Sequence, residues 1–331
     1  MSPVLVLGSN SFSGASFVKH LLEQGLDVIG ASRSPEAAGV FLPYQWLSEN
    51  QRKRFRFMQL DLNHDLDKLE SLLRTERVKV IANFAAQSMV GESWDKPDDW
   101  MRTNVVSVAR LAERLRHLDF LERYVHVTTP EVYGSTDGWI SEDTPFNPST
   151  PYAVSRAAGD MLFKIYRETF GLPVVATRAA NVYGPGQPLY RIIPRTLFFL
   201  LTGRTLELHG GGVSTRSFIH IDDVSGATWA IAQQAPIGET YHISTDRVIA
   251  IKDLVSLMCD MLGCSFDDHV KVVGERLGKD SAYWLKSEKL RQGLGWTDEI
   301  SLEQGLEETL RWAQSNLEVL SQQPMQYIHK P

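Results

Sequence analysis

Two short segments of the sequence contain side chains that could perform acid–base chemistry. They are Thr128-Thr-Pro-Glu-Val-Tyr-Gly134 and Ser149-Thr-Pro-Tyr-Ala-Val-Ser-Arg156. In the second segment Tyr152 and Arg156 are four residues apart, which places them on the same face of a helix. A nearby cation favours the phenolate and lowers the pKa of a tyrosine from its usual value of ~10. The two segments thus combine the phenol of Tyr152 with the hydroxyl of Thr129 and the carboxylate of Glu131.

A glycine-containing turn lies near the start of the chain, between an apolar run and a helical pattern. The turn is Gly8-Ser-Asn-Ser-Phe-Ser-Gly14. Small residues let a backbone approach a pyrophosphate, and a helix N-terminus supplies free N–H groups and the positive end of its dipole. The turn therefore predicts dinucleotide binding through Gly8, Asn10, Ser11, Phe12 and Gly14. An ordinary strand-to-helix turn is the alternative, since Ser11 stands where the middle glycine is usual.

The end of the second predicted strand indicates which dinucleotide is bound. An Asp or Glu is usual there when the ligand is NAD, whereas this chain has Ala31-Ser-Arg-Ser34. Arg33 could bind a 2′-phosphate, with Ser32 donating from beside it, so we favour NADP and keep NAD as the alternative. After the third strand, Asp61 is expected to meet the adenine amino group, with Leu62 beside it; Asp65 is a fallback. Ala85 and Gln87, after the fourth strand, also belong to the predicted cofactor set, as do Tyr152 and Arg156.

The elements that must position these residues alternate along the chain. Apolar runs predict strands at 3–7, 28–31, 56–60, 80–83, 124–127 and 174–177. Apolar spacing predicts helices at 15–24, 65–76, 99–117, 151–170, 222–233, 251–262 and 302–317. The alternation predicts an α/β protein with a Rossmann-type doubly wound parallel sheet and helices on both faces. Residues 216–223 are expected to form a strand and turn that return to this sheet.

The second half of the chain is less regular, and we expect it to contribute a smaller, interleaved α/β lobe that binds substrate. The expected division assigns 1–178 and 222–262 to the cofactor-binding domain. It assigns 179–221 and 263–331 to the substrate lobe. These boundaries are predicted from the positions of the elements alone.

Composition and charge exclude several classes of protein. The chain has 331 residues, 43% of them hydrophobic, and a formal net charge of −6. The negative balance argues against nucleic-acid binding, and no apolar run approaches the ~20 residues that span a bilayer. No signal peptide is visible, and Cys259 and Cys264 have no metal-ligand spacing, so we expect a cytoplasmic protein with two thiols and no metal site.

These segments resemble the extended short-chain dehydrogenase/reductase family, and within it the nucleotide-sugar 4,6-dehydratases acting on dTDP-glucose and GDP-mannose. The resemblance runs over nearly the whole chain. Besides the three segments above, it rests on Asn83-Phe-Ala-Ala-Gln-Ser88, Thr177-Arg-Ala-Ala-Asn181, Tyr183-Gly-Pro185, Arg216-Ser-Phe-Ile-His-Ile-Asp222 and Arg276-Leu-Gly-Lys-Asp280.

The resemblance implies a role for each candidate catalytic residue. Thr129 and Tyr152 match the family's hydroxyl and base, and Arg156 stands where the family has Lys. An arginine can lower the pKa of Tyr152 and donate to the cofactor ribose, but it cannot relay a proton. Glu131 matches the base that dehydratases use to remove the C5 proton before water leaves from C6.

Pro130 is a second departure from the family. The dTDP-glucose enzymes have an Asp acid at this position and the GDP-mannose enzymes a Ser. Glu131 could therefore act as both base and acid, aimed by a backbone that Pro130 fixes. Alternatively, the reaction could stop at an unsaturated ketone, and the sequence does not choose between these outcomes.

The expected substrate is a nucleotide-diphosphate hexose. By the same resemblance Arg216 and Arg276 bind its diphosphate, and Asn181 contacts it. Gln87 and Ser88 face the sugar, whereas Arg178 is expected to be a structural ion-pair partner.

A homodimer through helices near 99–117 and 151–170 is also implied. The alternative functions are an NDP-sugar 4-epimerase, a decarboxylase of the same family, or a non-catalytic NADP-binding scaffold.

Overall fold

The computed structural model describes residues 2–274 and 284–330. The strands there are β1 Val4–Leu7, β2 Val28–Ser32, β3 Phe55–Gln59, β4 Val80–Asn83, β5 Arg123–Thr128, β6 Trp139–Ile140, β7 Val174–Ala179, β8 Asn181–Tyr183, β9 Leu206–His209, β10 Thr215–Arg216, β11 Phe218–His220, β12 Thr240–Ile243, β13 Ile249–Ala250, β14 Val270–Val273 and β15 Trp284–Leu285. The α-helices there are α1 Phe12–Glu23, α2 Glu49–Arg52, α3 Leu66–Glu76, α4 Pro97–Met101, α5 Ser107–Leu115, α6 Pro151–Phe170, α7 Ile192–Leu201, α8 Ile221–Gln234, α9 Ile251–Leu262, α10 Phe266–His269, α11 Glu288–Leu294, α12 Leu302–Ser315 and α13 Leu317–Ser321.

Seven strands form the central sheet, in the order β12-β7-β5-β4-β1-β2-β3. Every neighbouring pair is parallel. The strand order reverses between β1 and β4, so the connections leave these two strands in opposite directions. In a sheet of this kind the crevice beyond the carboxyl ends of such strands is where ligands bind. The fold therefore predicts a ligand site at the loops that follow β1 and β4.

Helices cover both faces of the sheet, as the alternation of elements predicts. Along β1, Val4 and Val6 belong to one apolar cluster, which contains the buried faces of α1 and α8. Leu5 and Leu7 belong to another, which contains those of α3 and α5. Successive side chains of a strand point to opposite faces, so a strand covered on both sides has an unbroken apolar sequence. The predicted fold class is confirmed.

The helix predicted at 99–117 is interrupted. It consists of α4, a π-helical turn at Arg102–Val106, and α5. A π-helical turn accommodates an extra residue and changes the direction of the side chains around it. This interruption turns a polar side chain, Asn104, into the protein interior, where it is 2% exposed.

The expectation that residues 216–223 return to the main sheet is wrong. β11 instead pairs in parallel with β8, with Phe218 opposite Asn181. The backbone N–H of Asn181 donates to the carbonyl of Ser217, so β8 leaves the line of β7 and forms a separate two-stranded sheet. The seventh strand is β12, which pairs with β7. Its four residues follow the Pro236-Ile-Gly238 turn and had not been predicted as a strand.

A third apolar cluster lies beside the main sheet and contains residues from α7, α9, α12, β9 and β14. Helix α9, expected to belong to the cofactor domain, thus packs with elements of the expected substrate lobe, and the division into two lobes stays a prediction. Within the described ranges, no helix has the length and apolarity that crossing a membrane requires.

Candidate active site

The glycine turn brings the loops after β1 and β4 into direct contact. Gly8 has a φ of +79°, and a Cβ built on it would lie 2.6 Å from the backbone nitrogen of Ala85. A Cβ on Gly14 would lie 2.2 Å from the Gly8 carbonyl oxygen. A side chain at either glycine would therefore clash with the backbone. At Gly8 it would also be strained by the positive φ. The turn leaves the N-terminus of α1 next to the crevice, where its N–H groups can bind an anion.

Ser11 explains why the middle glycine of the turn is missing. It is the N-cap of α1, with an extended backbone that any residue adopts. Its hydroxyl accepts from the Gly14 N–H at 3.0 Å and donates to the Gly8 carbonyl at 2.7 Å. A serine at this position thus stabilises the turn through its side chain.

A cavity of about 650 Å³ opens over the turn. Nine of the predicted cofactor residues line it: Gly8, Asn10, Ser11, Ser32, Arg33, Asp61, Leu62, Ala85 and Gln87. Ser88, predicted to face the sugar, lines it too. Phe12 instead packs against the apolar core, and the other predicted cofactor residues, Gly14, Tyr152 and Arg156, do not line the cavity. The cavity is also bordered by residues from 323–330, which no sequence motif had indicated.

The loop after β2 is tied to the glycine turn. The Ser32 hydroxyl accepts from the Asn10 backbone N–H at 3.0 Å, and Asn10 Nδ2 donates to the Ser34 carbonyl at 3.0 Å. Asn10 Oδ1 is buried and has no hydrogen-bond partner among the described residues. Buried polar atoms in native proteins are rarely left without partners. Asn10 Oδ1 is thus in place to accept from a bound molecule, whereas Ser32 is engaged within the loop.

Asp61 lies in the cavity wall and closes a local turn. Its Oδ1 accepts from the Asn63 N–H at 2.8 Å. Asp65 stands at the N-cap position of α3, yet its side chain makes no capping bond there and instead accepts from the Asp61 N–H at 2.8 Å. Asp65 thus supports the Asp61 backbone and does not line the cavity.

Tyr152, Thr129 and Arg156 come together where β5 meets α6. The Tyr152 side chain is hydrogen-bonded to that of Thr129. The Arg156 guanidinium donates to the Val127 carbonyl on β5 and is 4% exposed. Burial raises the pKa of Tyr152, and this outweighs the lowering by Arg156 and Thr129. Arg156 thus acts in the expected direction, but the net shift is upward, so the phenolate forms less readily than the sequence alone indicated.

Glu131 lies on a 3₁₀ turn, Pro130–Tyr133, that begins directly after Thr129. The Thr129 hydroxyl accepts from the Glu131 N–H at 3.3 Å, so one side chain contacts both Tyr152 and the Glu131 backbone. The Glu131 charge is close enough to contribute to raising the pKa of Tyr152. Pro130 occupies the first position of the turn, where its fixed φ fits and its missing N–H has no cost.

Asn104 is a site residue that the sequence analysis missed. Its Oδ1 accepts from the Gln87 N–H at 2.9 Å, and its Nδ2 donates to the Gln87 carbonyl at 2.9 Å and to Ser155 Oγ at 3.0 Å. Ser155 in turn donates to the Tyr152 carbonyl at 2.7 Å. Asn104 therefore connects the loop after β4 to the first turn of α6. In the sequence Asn104 is only an amide within a helical pattern. Its role depends on the π-helical turn, which directs its side chain inward.

The predicted substrate residues lie together in part. Asn181 begins β8, and its N–H donates to the carbonyl of Ser217, the residue after Arg216, at 3.1 Å. The Arg216 side chain donates to the Thr215 carbonyl at 2.8 Å. Arg276 lies outside the described residues. Arg178 forms a buried ion pair with Asp160, in agreement with the structural role expected for it.

Comparison with known proteins gives a family match over most of the chain. A family model described as GDP-mannose 4,6 dehydratase matches residues 5–309. A trifunctional UDP-glucose 4,6-dehydratase/UDP-4-keto-6-deoxy-D-glucose 3,5-epimerase/UDP-4-keto-L-rhamnose-reductase of Arabidopsis thaliana is 32% identical over 268 residues. That alignment covers 80% of this chain and 40% of the plant protein, so the chain corresponds to less than half the length of that relative.

Two solved structures share the fold of this chain but belong to enzymes with different activities. A dTDP-glucose 4,6-dehydratase from Streptomyces venezuelae with NAD bound is 32% identical, with a TM-score of 0.88, and the match covers 96% of this chain and 99% of that one. A UDP-glucuronic acid 4-epimerase from Bacillus cereus, in complex with UDP-glucuronic acid and NAD, is 27% identical, with a TM-score of 0.86 and coverage of 95% and 99%. Likeness of fold alone therefore does not separate dehydration from epimerisation.

Proposed function

The chain belongs to the GDP-mannose 4,6-dehydratase family, and we propose that it is a nucleotide-sugar 4,6-dehydratase that uses a nicotinamide cofactor. Such an enzyme converts an NDP-hexose to an NDP-4-keto-6-deoxyhexose. The observation that carries the proposal is that Thr129 contacts both Tyr152 and the Glu131 backbone. Oxidation at C4 needs a base such as Tyr152, whereas elimination of water also needs a carboxylate near C5, and Glu131 provides it.

Tyr152 acts as the base for the C4 hydroxyl. Thr129 orients the phenol through their hydrogen bond, and the buried charge of Arg156 favours the phenolate. Because Arg156 is held by the Val127 carbonyl and does not deprotonate, it stabilises charge and does not relay protons. The nicotinamide, when bound, supplies a hydride acceptor for C4 and a hydride donor for C6.

Glu131 acts at C5 and C6. A ketone at C4 acidifies the C5 proton, which the Glu131 carboxylate removes. The C6–O bond then breaks, and the same carboxyl group gives a proton to the departing hydroxyl, so that water leaves and a C5–C6 double bond forms. Pro130 has no proton to give, which makes Glu131 both base and acid. After hydride addition at C6, C5 takes a proton from solvent through Glu131.

The cavity over the glycine turn fits a dinucleotide. Gly8 and Gly14 allow the close backbone approach that a pyrophosphate needs, and the N-terminus of α1 offers N–H groups. Asn10, which lines this cavity, has a buried side-chain oxygen, Oδ1, with no hydrogen-bond partner among the described residues, and a ribose hydroxyl would satisfy it.

We propose NADP as the cofactor, because Arg33 and Ser34 follow β2 where NAD-binding folds carry a carboxylate. The two solved structures described above contain NAD, which stays the alternative.

The proposed substrate is a nucleotide-diphosphate hexose. Asn181 begins β8, which pairs with β11, and Arg216 ends β10, two residues before β11 begins; a guanidinium and an amide placed there suit a diphosphate and a sugar hydroxyl. Arg276 is proposed as a second diphosphate ligand from its place in the sequence. Gln87 and Ser88 line the cavity next to the glycine turn and are proposed to contact the sugar.

A homodimer is proposed through α6 and the 99–117 region. Val154, Met161 and Ile165 lie on one face of α6 and are 42%, 61% and 54% exposed. Val106, in the π-helical turn, is 44% exposed. A second copy of the chain would cover these apolar side chains, and light scattering with Met161→Glu tests this. We also propose a cytoplasmic location, since Cys259 and Cys264 are both free thiols.

The function is tested by incubating the protein with NADP and a panel of nucleotide hexoses and weighing the products. Loss of one water supports dehydration. Unchanged mass with inverted C4 indicates the epimerase alternative, which the Bacillus cereus structure makes relevant. Loss of carbon dioxide from a uronate indicates a decarboxylase, and cofactor binding without any product indicates a scaffold.

A further inference from the structure

Residues 323–330 follow α13 and border the cavity that the glycine turn opens into. The side chains that line it from this segment are Gln323, Pro324, Gln326, Tyr327, Ile328 and Lys330. The function proposed above assigns nothing to them. These residues are far along the chain from every predicted cofactor motif, so only the fold shows that they border the cavity.

The segment bridges the two sides of the crevice. The Lys330 carbonyl accepts from Arg33 Nη2 at 2.8 Å and from Gln87 Nε2 at 2.7 Å. These donors belong to the loops after β2 and β4, which lie on either side of β1. Lys330 Nζ donates to Ser34 Oγ at 3.1 Å, and the Tyr327 hydroxyl lies 3.4 Å from Gln87 Oε1. The segment therefore contacts predicted cofactor residues from both loops.

Two further contacts hold the segment from outside this crevice. His329 Nε2 lies 2.7 Å from Asp99 Oδ2, and its ring stacks on Trp100 with 5.0 Å between centroids and 11° between planes. Asp99 and Trp100 are on α4. The Met325 carbonyl accepts from the guanidinium of Arg195 on α7. The segment is thus attached at points that do not depend on its contacts with Arg33 and Gln87.

The cavity of about 650 Å³ exists with the segment in this position. Sites for small molecules and cofactors are typically ~300–1,000 Å³, so the segment forms a wall of a cavity large enough for a ligand. A segment that filled the site would leave no such volume beneath it. This favours closure over a bound cofactor and not competition with it.

We propose that residues 323–330 are a strap that closes the cofactor pocket and slows cofactor release, with His329 and Lys330 as its fastening residues. This inference rests on the proposed cofactor site. It agrees with the proposed reaction, in which the hydride removed from C4 returns to C6. The cofactor thus ends each turnover in its starting state, and slow release does not limit the rate.

The test measures cofactor dissociation in the full-length protein. The protein is loaded with NADPH and mixed with excess NADP, and the fall in bound-NADPH fluorescence gives the rate constant. His329→Ala removes the contacts with Asp99 and Trp100 and should speed release about tenfold, the factor expected from one lost hydrogen bond and stacking contact. Asp99→Asn should also speed release, and the double variant should lose less than the product of the two effects, because both changes break one contact.

Lys330→Ala should not disturb the fold, because the side chain is exposed; it removes the hydrogen bond to Ser34 and a part of the cavity wall. It should speed release severalfold. His269→Ala is the matched control, since His269 on α10 hydrogen-bonds to the Ser265 carbonyl and does not line the cavity, so release should be unchanged. In the wild-type protein, bound NADP should also slow chymotrypsin cleavage after Tyr327.

Unchanged release in both strap variants would overturn the inference. So would tighter binding in these variants together with faster cleavage after Tyr327 when NADP is present, since that result describes a competing segment. If the wild-type protein binds neither NADPH nor NADH, the proposed function fails and the strap with it. If the wild-type protein binds the cofactor and both strap variants release it at the wild-type rate, only the proposal of a strap fails.

Discussion

Asp160 and Arg178 form an ion pair inside the protein, with 2.8 Å between Asp160 Oδ2 and Arg178 Nη2. Arg178 also donates to the Tyr133 hydroxyl at 2.5 Å, and His126 Nε2 lies 3.1 Å from Asp160 Oδ1. Asp160 is on α6, the helix of Tyr152, and Tyr133 is in the turn that contains Glu131. The buried pair therefore connects the two segments that carry the candidate catalytic residues. Burial opposes ionisation of Asp160, but His126 and Arg178 outweigh it and hold its pKa at about 2.

Asp160→Asn should destabilise the fold strongly, because it leaves the Arg178 charge buried without its partner. Breaking one side of a buried pair typically costs about 3–5 kcal/mol. Urea unfolding at neutral pH measures this. Glu49→Gln is the control, since it breaks the exposed Glu49–Lys53 pair and should leave the free energy of unfolding almost unchanged. An Asp160→Asn protein as stable as the wild type would contradict this account of the buried pair.

Gly8→Ala should abolish cofactor binding, and Gly25→Ala should not. Both glycines have a positive φ, +79° and +73°, so each substitution strains the backbone by about 1–2 kcal/mol. Only at Gly8 would the added Cβ meet another backbone, 2.6 Å from Ala85; at Gly25 nothing lies within 4 Å. Thermal melting of the two variants measures the loss of stability from backbone strain. NADPH titration measures the loss of cofactor binding, which we expect only where the added Cβ meets the backbone of Ala85. Equal binding by both variants would show that the close approach is not needed.

Arg156→Gln should shift the alkaline part of the pH–rate profile to higher pH. Burial already raises the pKa of Tyr152, so kcat/KM should rise with pH above neutrality as the phenolate forms. Removing the neighbouring positive charge disfavours the phenolate and raises that pKa further. The profile of each protein, measured with a substrate from the panel, checks the direction. A shift to lower pH would mean that Arg156 does not act on Tyr152 as a charge.

Arg33→Ala should weaken NADP binding about tenfold more than NAD binding, and NAD binding should weaken only through loss of the hydrogen bond to the Lys330 carbonyl of the strap. A hydrogen bond to a charged group contributes about 1.5–3 kcal/mol, and only NADP has the 2′-phosphate that would receive it. Titration calorimetry with both nucleotides measures the ratio. Arg52→Ala, which removes an exposed arginine at the end of α2, is the control. Equal losses for NADP and NAD would remove the basis for preferring NADP.

Local sequence patterns predicted the elements that come from one continuous segment. The glycine turn, β1 to β5 and α6 could be recognised because apolar spacing and turn residues are local properties. Arg178 could be expected to pair because a charge inside a buried strand needs a partner. The sequence also placed Gly8, Arg33, Asp61 and Gln87 at one cavity, since parallel strands end at the same edge of the sheet.

Other features depend on contacts that no local pattern encodes. Asn104 faces inward only because a π-helical turn interrupts the helix. Arg33 and Lys330 meet although they are 297 residues apart in sequence. The upward pKa shift of Tyr152 depends on how completely the surrounding elements bury the phenol, whereas the sequence shows only the neighbouring cation. β12 has only four residues and is defined by its pairing with β7.

The most direct test of the central claim is solvent deuterium exchange at C5 in Glu131→Gln. In deuterium oxide the wild-type protein should give a product that has lost one water and carries deuterium at C5. Glu131→Gln should give neither change, yet it should still oxidise C4, seen as reduced nicotinamide that accumulates on the protein. A Glu131→Gln protein that dehydrates the sugar at the wild-type rate with deuterium at C5 would contradict the role assigned to Glu131.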